Sequence, residues 1–377
     1  MVGSRARTTG MREGVDMADI EQASDITQTG RNERSGDKKR VAGKETVAGV
    51  AQGKDVMQSK GTVQTRAAQT SREQVRHRLA AWWEANARDL PWRFGRTTPW
   101  GVLVSEVMSQ QTQMSRVVPY WTAWMAAWPD AASLAKAPTA EVITAWGRLG
   151  YPRRALRLQE CARVVSDTYG DRLPDDYERL LDLPGVGDYT ASAVSSFAFG
   201  RRVPVIDTNI RRVLSRVFLG EESRGGAATR AERDLAADAL PADTAQSVVW
   251  NQSVMELGAV VCTAKKPLCE SCPVSDDCAF LKAGLPGLGE KRTRPRQRFQ
   301  GTDRQVRGMV MAALRKAAKA QSAIKSGTQA SQSVSVITRT QVEQLWPDHV
   351  QLDACIASLD EDGLIEILPD GSLTLPR

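Results

Sequence analysis

The stretch from Leu183 to Phe218 constrains the fold most, because a tight turn, an apolar helix and a carboxylate follow one another in it. The turn, Leu183 to Gly187, separates two helical patterns, and a helix is predicted to open at Asp188. Gly185 and Gly187 would let the backbone pass close to a neighbour, and the unpaired N–H groups of a helix start can bind a phosphate. The pattern therefore predicts two helices joined by a hairpin turn over about residues 178–199.

The same stretch also has a simpler interpretation. A Leu-Pro-Gly-Val-Gly turn is common between helices of any function, and Asp207 is well suited to cap a helix that begins at Thr208. On this stretch alone, a phosphate site with a functional carboxylate and an ordinary turn with a helix cap both remain open.

Composition limits the class of protein. The 377 residues are 41% hydrophobic and 25% charged, enough for one or two cores, and no run approaches the ~18 apolar residues of a membrane span. We therefore expect no membrane partner. The net charge of +7 favours a polyanionic partner. Four of the six cysteines crowd together and no secretory signal precedes them, which favours a reducing cytoplasm.

Residues 1–70 are predicted to be a disordered tail. They contain 12 Lys and Arg and 9 Asp and Glu, no aromatic residue and no sustained apolar period. Such a segment cannot bury enough apolar surface to offset the entropy lost on ordering. A helical pattern begins at Ser71, where the core of the protein is predicted to start.

A loop with two arginines and a tryptophan follows the first helix. Arg88, Trp92 and Arg93 could together hold phosphates and stack on a base, although such residues more often serve in surface packing.

Glu106 interrupts the apolar face of the next predicted helix, which opens at Thr98-Pro99. Its neighbours one turn earlier are Val102 and Leu103, so low-dielectric surroundings should raise the pKa of its carboxyl group and favour the protonated form. A general acid requires this property. A solvated Glu at a helix edge is the simpler alternative.

A second loop, Gly147 to Arg154, breaks the helical period with glycines. It presents Leu149 and Tyr151 among three arginines, and an apolar wedge flanked by cations suits a loop that enters a kinked duplex.

The cysteines form one compact pattern, Cys262-x6-Cys269-x2-Cys272-x5-Cys278. Four thiolates at this spacing could hold a zinc ion or a [4Fe-4S] cluster. Zinc modules usually pair two Cys-x2-Cys knuckles, whereas this pattern has a single one.

Four signatures in the same order resemble the MutY adenine DNA glycosylases of the helix-hairpin-helix, or endonuclease III, superfamily. They are the stretch SEVMSQQT at 105–112, the loop containing Leu149-Gly150-Tyr151, the hairpin followed by Asp207, and the cysteine loop at 262–278. The loop departs from the family pattern at Arg148 and Pro152. The resemblance covers about residues 76–285 and implies a two-lobed, all-α catalytic core over 71–285 with a [4Fe-4S] cluster.

The resemblance also implies roles for single residues. Glu106 would protonate the leaving base, Asp207 would stabilise the cation on the sugar, and Asn209 would support Asp207. Tyr189 stands where endonuclease III-like enzymes carry a nucleophilic lysine, which implies a monofunctional enzyme. Gln252 would contact the extruded adenine, while Gln111, Thr112 and Tyr151 fill the stack. The implied substrate is double-stranded DNA with adenine opposite 8-oxoguanine or guanine, and the enzyme is expected to be a monomer.

The C-terminal part is predicted to be a basic linker over 286–300 and a small α+β module over 301–377. Helices followed by a hairpin around Pro369-Asp370-Gly371 suggest a winged-helix-like fold. Many MutY proteins carry a MutT-like domain with a Phe-Ser-His loop here, which this segment lacks. We expect the module to add mainly sequence-independent phosphate affinity.

Two other functions stay open at this point. One is an endonuclease III-like glycosylase and lyase acting on oxidised pyrimidines, which Tyr189 and the SEVMSQQT stretch disfavour. The other is a non-catalytic iron-sulfur DNA-binding protein, which the presence of both Glu106 and Asp207 disfavours.

Overall fold

The computed structural model describes residues 71–223, 225–290, 298–325 and 335–377, apart from the side chains of 322–325. The tail predicted over 1–70 and residues 291–297 of the basic linker predicted over 286–300 lie outside the described residues.

The first half of the described chain is helical, as predicted. It contains α1 (71–86), α2 (Pro99–Ser109), α3 (Met114–Ala127), α4 (Ala131–Lys136), α5 (Thr139–Trp146), α6 (Arg153–Tyr169), α7 (Tyr177–Leu181) and α8 (Asp188–Phe197). Asp130 starts α4 with a capping box, which separates α4 from α3. In the described ranges, no helix has both the length and the apolar character needed to cross a membrane.

Helices α2 to α8 share one hydrophobic core, which forms the first lobe. Trp124 and Trp146 are among its largest buried side chains, and their rings meet edge to face with centroids 5.6 Å apart. The Thr98 hydroxyl caps α2 by accepting the Gly101 N–H, and Pro99 occupies the first turn as predicted. This capping fixes where α2 starts, and therefore which face of α2 Glu106 occupies.

A second core joins α1 to the chain that follows Val205. This lobe contains α9 (Thr208–Leu214), a π-helical turn (Ser215–Leu219), α10 (Arg230–Ala239), α11 (Thr244–Val260) and α12 (Ala279–Lys282). Val75 and Leu79 of α1 are buried in the same core as Leu257 of α11. The chain thus leaves the second lobe after α1, builds the first, and returns, which confirms the predicted two-lobed arrangement.

The predicted hairpin lies between α7 and α8. Gly185 has a φ of +77°, and a Cβ atom built on it would lie 2.9 Å from the Cβ atom of Arg157. Gly187 differs from the prediction, because its φ is −106° and nothing lies within 4 Å of a Cβ built there. Gly185 is therefore required by backbone geometry and by packing, whereas Gly187 leaves open space at the start of α8.

The C-terminal module contains α13 (Asp303–Lys325), β1 (Val336–Ile337), α14 (Arg339–Glu343), α15 (His349–Glu361), β2 (Glu366–Ile367) and β3 (Leu373–Thr374). The strands form an antiparallel sheet in the order β1-β3-β2, in which Thr374 pairs with both Val336 and Glu366. The predicted hairpin is confirmed, and β1 was missed because two residues give no readable alternation. The order helix, strand, two helices and hairpin is that of a winged helix.

The third core belongs to this module but includes one side chain of the first lobe. Ile143 of α5 is fully buried among module residues such as Val310, Leu314 and Leu359. The Arg315 guanidinium Nε donates to the Ile143 carbonyl oxygen at 3.2 Å. The module therefore packs directly on α5 and is not held by its linker alone.

Replacing Gly185 with Ala tests the hairpin. An L-residue at this φ costs about 1–2 kcal/mol, and the contact with Arg157 adds to that cost, so we expect a loss of roughly 2 kcal/mol in unfolding free energy. Urea unfolding of Gly185→Ala and the matched control Gly187→Ala measures it. Equal destabilisation by the two substitutions would contradict this account of the turn.

Candidate active site

Glu106 lies on the buried face of α2, opposite α8. Its side chain is only 8% exposed, and Oε2 accepts a hydrogen bond from the Tyr189 hydroxyl at 2.7 Å. Burial raises the pKa of Glu106 to about 7, the nearby charge of Asp207 adds to this rise, and the hydrogen bond from Tyr189 opposes it. The carboxyl group therefore holds a proton up to neutral pH, as the sequence predicts.

Asp207 stands at the start of α9, is half-buried, and lies close enough to Glu106 for its charge to raise the pKa of that group. Its Oδ1 accepts the Ile210 N–H at 2.6 Å, and its Oδ2 accepts the Asn209 side-chain N–H at 2.8 Å. Burial raises the pKa of Asp207, while these donors and the charge of Arg212 oppose the rise. Asp207 does cap a helix, and it also shares a desolvated site with a second carboxyl group.

Asn251 of α11 fixes the extended segment that leads to Asp207. Its side-chain oxygen accepts the Val205 N–H at 3.3 Å, and its N–H groups donate to the Val203 carbonyl at 2.8 Å and to the Ser196 hydroxyl at 3.0 Å. Asn251 is a functional residue that sequence reasoning missed, because its partners are 46–55 residues away.

Arg212 connects Asn209 to the cysteine loop. Its Nη2 donates to the Asn209 side-chain oxygen at 2.8 Å and to the Gly258 carbonyl at 2.6 Å, and its Nε donates to the Cys262 carbonyl at 2.8 Å. A Cβ atom on Gly258 would lie 2.7 Å from the Cβ atom of Asn209, so α11 passes very close to α9 here. Asp207 and the first cysteine are thus tied to one guanidinium group through short hydrogen bonds.

The four cysteines of 262–278 line one cavity together with Arg216 and Phe280. Arg216, on the π-helical turn, donates to the Cys262 Sγ at 3.4 Å and is 1% exposed. Burial and the neighbouring thiols raise the pKa of Cys272 to about 11. The shared cavity brings the four thiols together, as a cluster held by four cysteines requires.

Two loops at the C-terminal end of α2 are held by Arg154. Its Nη1 donates to the carbonyls of Val107 at 2.8 Å and Gln110 at 2.6 Å, and its Nη2 donates to that of Leu149 at 3.2 Å. Burial lowers the pKa of Arg154 to about 10. The sequence noted Arg154 only as a cation near the wedge, whereas the structure makes it the internal brace of both loops.

Two family models match the chain. The model described as HhH-GPD superfamily base excision DNA repair protein matches residues 104–236. The model described as iron-sulfur binding domain of endonuclease III matches residues 262–278, which confirms the iron-sulfur assignment of the four cysteines.

Relatives extend the similarity over most of the chain. An adenine DNA glycosylase of Mycolicibacterium smegmatis is 45% identical over 299 residues, which is 79% of this chain and 94% of the relative. The chain belongs to the adenine DNA glycosylase family. Another member, from Mycobacterium tuberculosis, is 43% identical over 300 residues, with 79% of this chain and 92% of the relative covered.

A solved structure supports the fold of this glycosylase. The structure of a thermostable thymine-DNA glycosylase matches with a TM-score of 0.53 and 30% identity, covering 58% of this chain and 99% of that one. The helix-hairpin-helix glycosylase fold with its iron-sulfur domain is thus confirmed. Since that protein is named for a different base, the fold alone does not select the substrate.

The prediction for the loop that follows α1 in this glycosylase needs a correction. Arg88 and Arg93 were predicted to hold phosphates, but both pair with the fully buried Glu256 of α11, with Nε of Arg88 at 2.5 Å and Nη2 of Arg93 at 2.8 Å. Burial by itself raises the pKa of Glu256, but hydrogen bonds from the two arginines outweigh burial and lower this pKa to about 2. Trp92 packs on Trp121, with ring centroids 5.5 Å apart. This loop joins the lobes internally.

The predicted wedge divides into buried and exposed residues. Leu149 is 3% exposed, so the expectation that it projects as a wedge is wrong, and it anchors the loop in the first core. Tyr151 is 48% exposed and has a φ of +45°, and Gln111 is exposed with a φ of +54°. Thr112 donates to the Gln110 carbonyl at 3.1 Å. Gln252 is half-buried on α11, next to Asn251.

The buried carboxyl group of Glu106 predicts a pH-dependent stability. Its raised pKa contributes stability that is complete below about pH 4.5 and is lost as the pH rises through about 7. Glu106→Gln removes this dependence. Between pH 5 and pH 8.5, the unfolding free energy of the variant should therefore rise relative to that of the wild type by up to roughly 3 kcal/mol. Urea unfolding of both proteins at the two pH values measures the gain. A difference that does not change with pH would contradict the burial of this group as its cause.

Proposed function

We propose that this glycosylase removes adenine opposite 8-oxoguanine or guanine in double-stranded DNA, and that it leaves an abasic site without cutting the strand. Water replaces adenine at the sugar C1′, so the hydroxyl group goes to the sugar and the proton to the base. The proposal rests on the pairing of the protonated Glu106 with Asp207 at the junction of the two lobes.

Glu106 acts as the general acid. Breaking the N-glycosidic bond builds negative charge on the leaving base, and a proton delivered to the base removes that charge. A carboxyl group with a pKa near 7 still carries the proton at neutral pH, which an exposed Glu does not. Tyr189 orients the carboxyl group through its 2.7 Å hydrogen bond.

Asp207 acts as the anion that stabilises the developing sugar cation. Two buried carboxyl groups in one site divide the roles of acid and charged partner when their surroundings differ. Asp207 accepts hydrogen bonds from Ile210 and Asn209 and lies near Arg212, all of which favour its charged form, whereas Glu106 accepts only the Tyr189 hydroxyl. Asn209 thus positions Asp207 for this role.

Tyr189 supports a monofunctional reaction. A lyase step needs a primary amine that attacks the sugar, and the residue beside the two carboxyl groups is a phenol hydrogen-bonded to Glu106. Burial raises the pKa of Tyr189 well above its ordinary value, and the neighbouring Glu106 and Asp207 add to this, so the hydroxyl stays protonated. Water, rather than an amine, then attacks the sugar C1′.

DNA is engaged through surfaces around the cleft. The open N-terminus of α8 at Gly185 and Gly187 binds a phosphate, Gln252 contacts the extruded adenine, and Gln111, Thr112 and Tyr151 fill the gap in the stack. The exposure of Gln111 and Tyr151 supports this. We assign the protein to the cytoplasm, as a monomer on nucleoid DNA.

One substrate panel tests the function. Labelled duplexes carrying adenine opposite 8-oxoguanine, adenine opposite guanine, or thymine glycol are incubated with the protein and then treated with or without alkali. Adenine loss that yields strand breaks only after alkali is expected, and Glu106→Gln and Asp207→Asn should each bind the duplex but release no base. Direct cleavage at thymine glycol would favour a lyase, and binding without release a non-catalytic protein.

The pH profile of the reaction tests the acid role. Single-turnover excision should fall above about pH 7 as Glu106 loses its proton. Because the Tyr189 hydroxyl lowers the pKa of Glu106, Tyr189→Phe should move this alkaline limb to higher pH. Tyr169→Phe, at the end of α6, is the matched control and should leave the limb in place. An unmoved limb in Tyr189→Phe would reject Glu106 as the titrating acid.

A further inference from the structure

The C-terminal module reaches the exposed wedge directly. Arg304, in the first turn of α13, holds its guanidinium carbon 6.0 Å from the centroid of the Tyr151 ring. Arg154 approaches the same ring at 5.7 Å from within the first lobe. Tyr151 therefore lies near two cations, one from the catalytic core and one from the module, at distances typical of cation–π contacts.

A second contact between the module and the first lobe involves Arg153, two residues after Tyr151. Asp362, at the C-terminal end of α15, accepts from Arg153 of α6 at 3.1 Å and from Arg307 of α13 at 2.5 Å. Arg307 also donates to the Ser358 hydroxyl at 2.5 Å. The start of α6 is thus tied to two helices of the module through one carboxylate.

The apolar contact beneath these polar ones fixes the module in place. Ile143 of α5 is buried in the module core, and Leu156 of α6 packs against the same core. Helices α5 and α6 are the two helices that the wedge loop connects. The helices at both ends of the loop therefore pack against the module.

Tyr151 needs such support for a physical reason. It is a non-glycine residue at a φ of +45°, and it is 48% exposed, so few contacts of its own lobe restrain the ring. A left-handed backbone of this kind costs about 1 kcal/mol or more and persists where the surroundings hold it. An aromatic ring that enters a base stack also loses less entropy if it is already positioned.

We propose that the C-terminal module is a positioning element for the Tyr151 wedge, with Arg304 as its positioning residue, so that extrusion of the base depends on the module. This inference rests on the proposed function for the identity of the extruded base. It differs from the expectation that the module adds mainly phosphate affinity, because here the module acts on a step that follows DNA binding.

Excision at saturating enzyme separates the two accounts. Under single-turnover conditions with all DNA bound, Arg304→Ala should slow adenine release about two- to five-fold, the range expected for one exposed cation–π contact. Lys319→Ala removes the same charge from an exposed position of α13 about four turns away and should leave the rate unchanged. Equal rates for Arg304→Ala and Lys319→Ala would overturn the proposal, because only phosphate affinity would then be lost.

Coupling to Tyr151 gives the decisive comparison. If Arg304 acts through the ring, Arg304→Ala should have no further effect on the rate once Tyr151→Leu is present. If Arg304 acts on its own, the two substitutions should multiply, and the proposal fails. Arg304 is exposed, and an unchanged urea midpoint and iron content in each variant show that the fold is intact.

A readout that needs no chemistry separates this proposal from the proposed function. With 2-aminopurine in place of adenine opposite guanine, fluorescence reports extrusion in the bound complex. Arg304→Ala should lower the fluorescence increase about two- to five-fold at full binding, while Lys319→Ala should match the wild type. Failure of the wild type to release adenine would reject the proposed function alone, whereas equal fluorescence in the two variants would reject the wedge proposal alone.

Discussion

The active site depends on an unfavourable interaction, the burial of two carboxyl groups within each other's field. Desolvation raises the pKa of both Glu106 and Asp207, and the charge of Asp207 raises that of Glu106 further. The surroundings resolve the conflict unequally. Asp207 accepts backbone and amide N–H donors and has Arg212 nearby, while Glu106 accepts one phenol and feels the charge of Arg93. The larger number of donors on Asp207 favours the proton on Glu106 and the charge on Asp207, which is the division of roles that the proposed function requires.

Several arginines of this protein form internal hydrogen bonds and ion pairs that connect its elements. Arg93 pairs with Glu256, Arg154 holds the carbonyls at the end of α2, and Arg212 and Arg216 bridge α9 and the π-helical turn to the cysteine loop. The guanidinium group suits this task because it donates several hydrogen bonds in a fixed plane. The net charge of +7 therefore overstates the cationic surface available to DNA.

What the sequence predicted follows from how local each signal is. The helix at Thr98-Pro99, the hairpin at 183–187 and the cysteine loop are written in neighbouring residues, and all three are confirmed. The burial of Leu149 and the pairing of Arg88 with Glu256 were not predicted, because they depend on contacts between residues far apart in the chain. For the same reason, two arginines that the sequence assigned to DNA phosphates, Arg88 and Arg93, are paired with the buried Glu256.

The position of Ile143 determines where a boundary between the catalytic core and the C-terminal module can be drawn. Ile143 belongs to α5 of the catalytic core by chain order, yet it is buried among side chains of the C-terminal module. A protein shortened before α13 would expose this isoleucine and Leu156 together, as an apolar patch beside the loop that contains Tyr151. Such a patch promotes association between copies. A shortened enzyme that does not associate therefore has to keep this shared core. Such an enzyme extends past the iron-sulfur loop to β3.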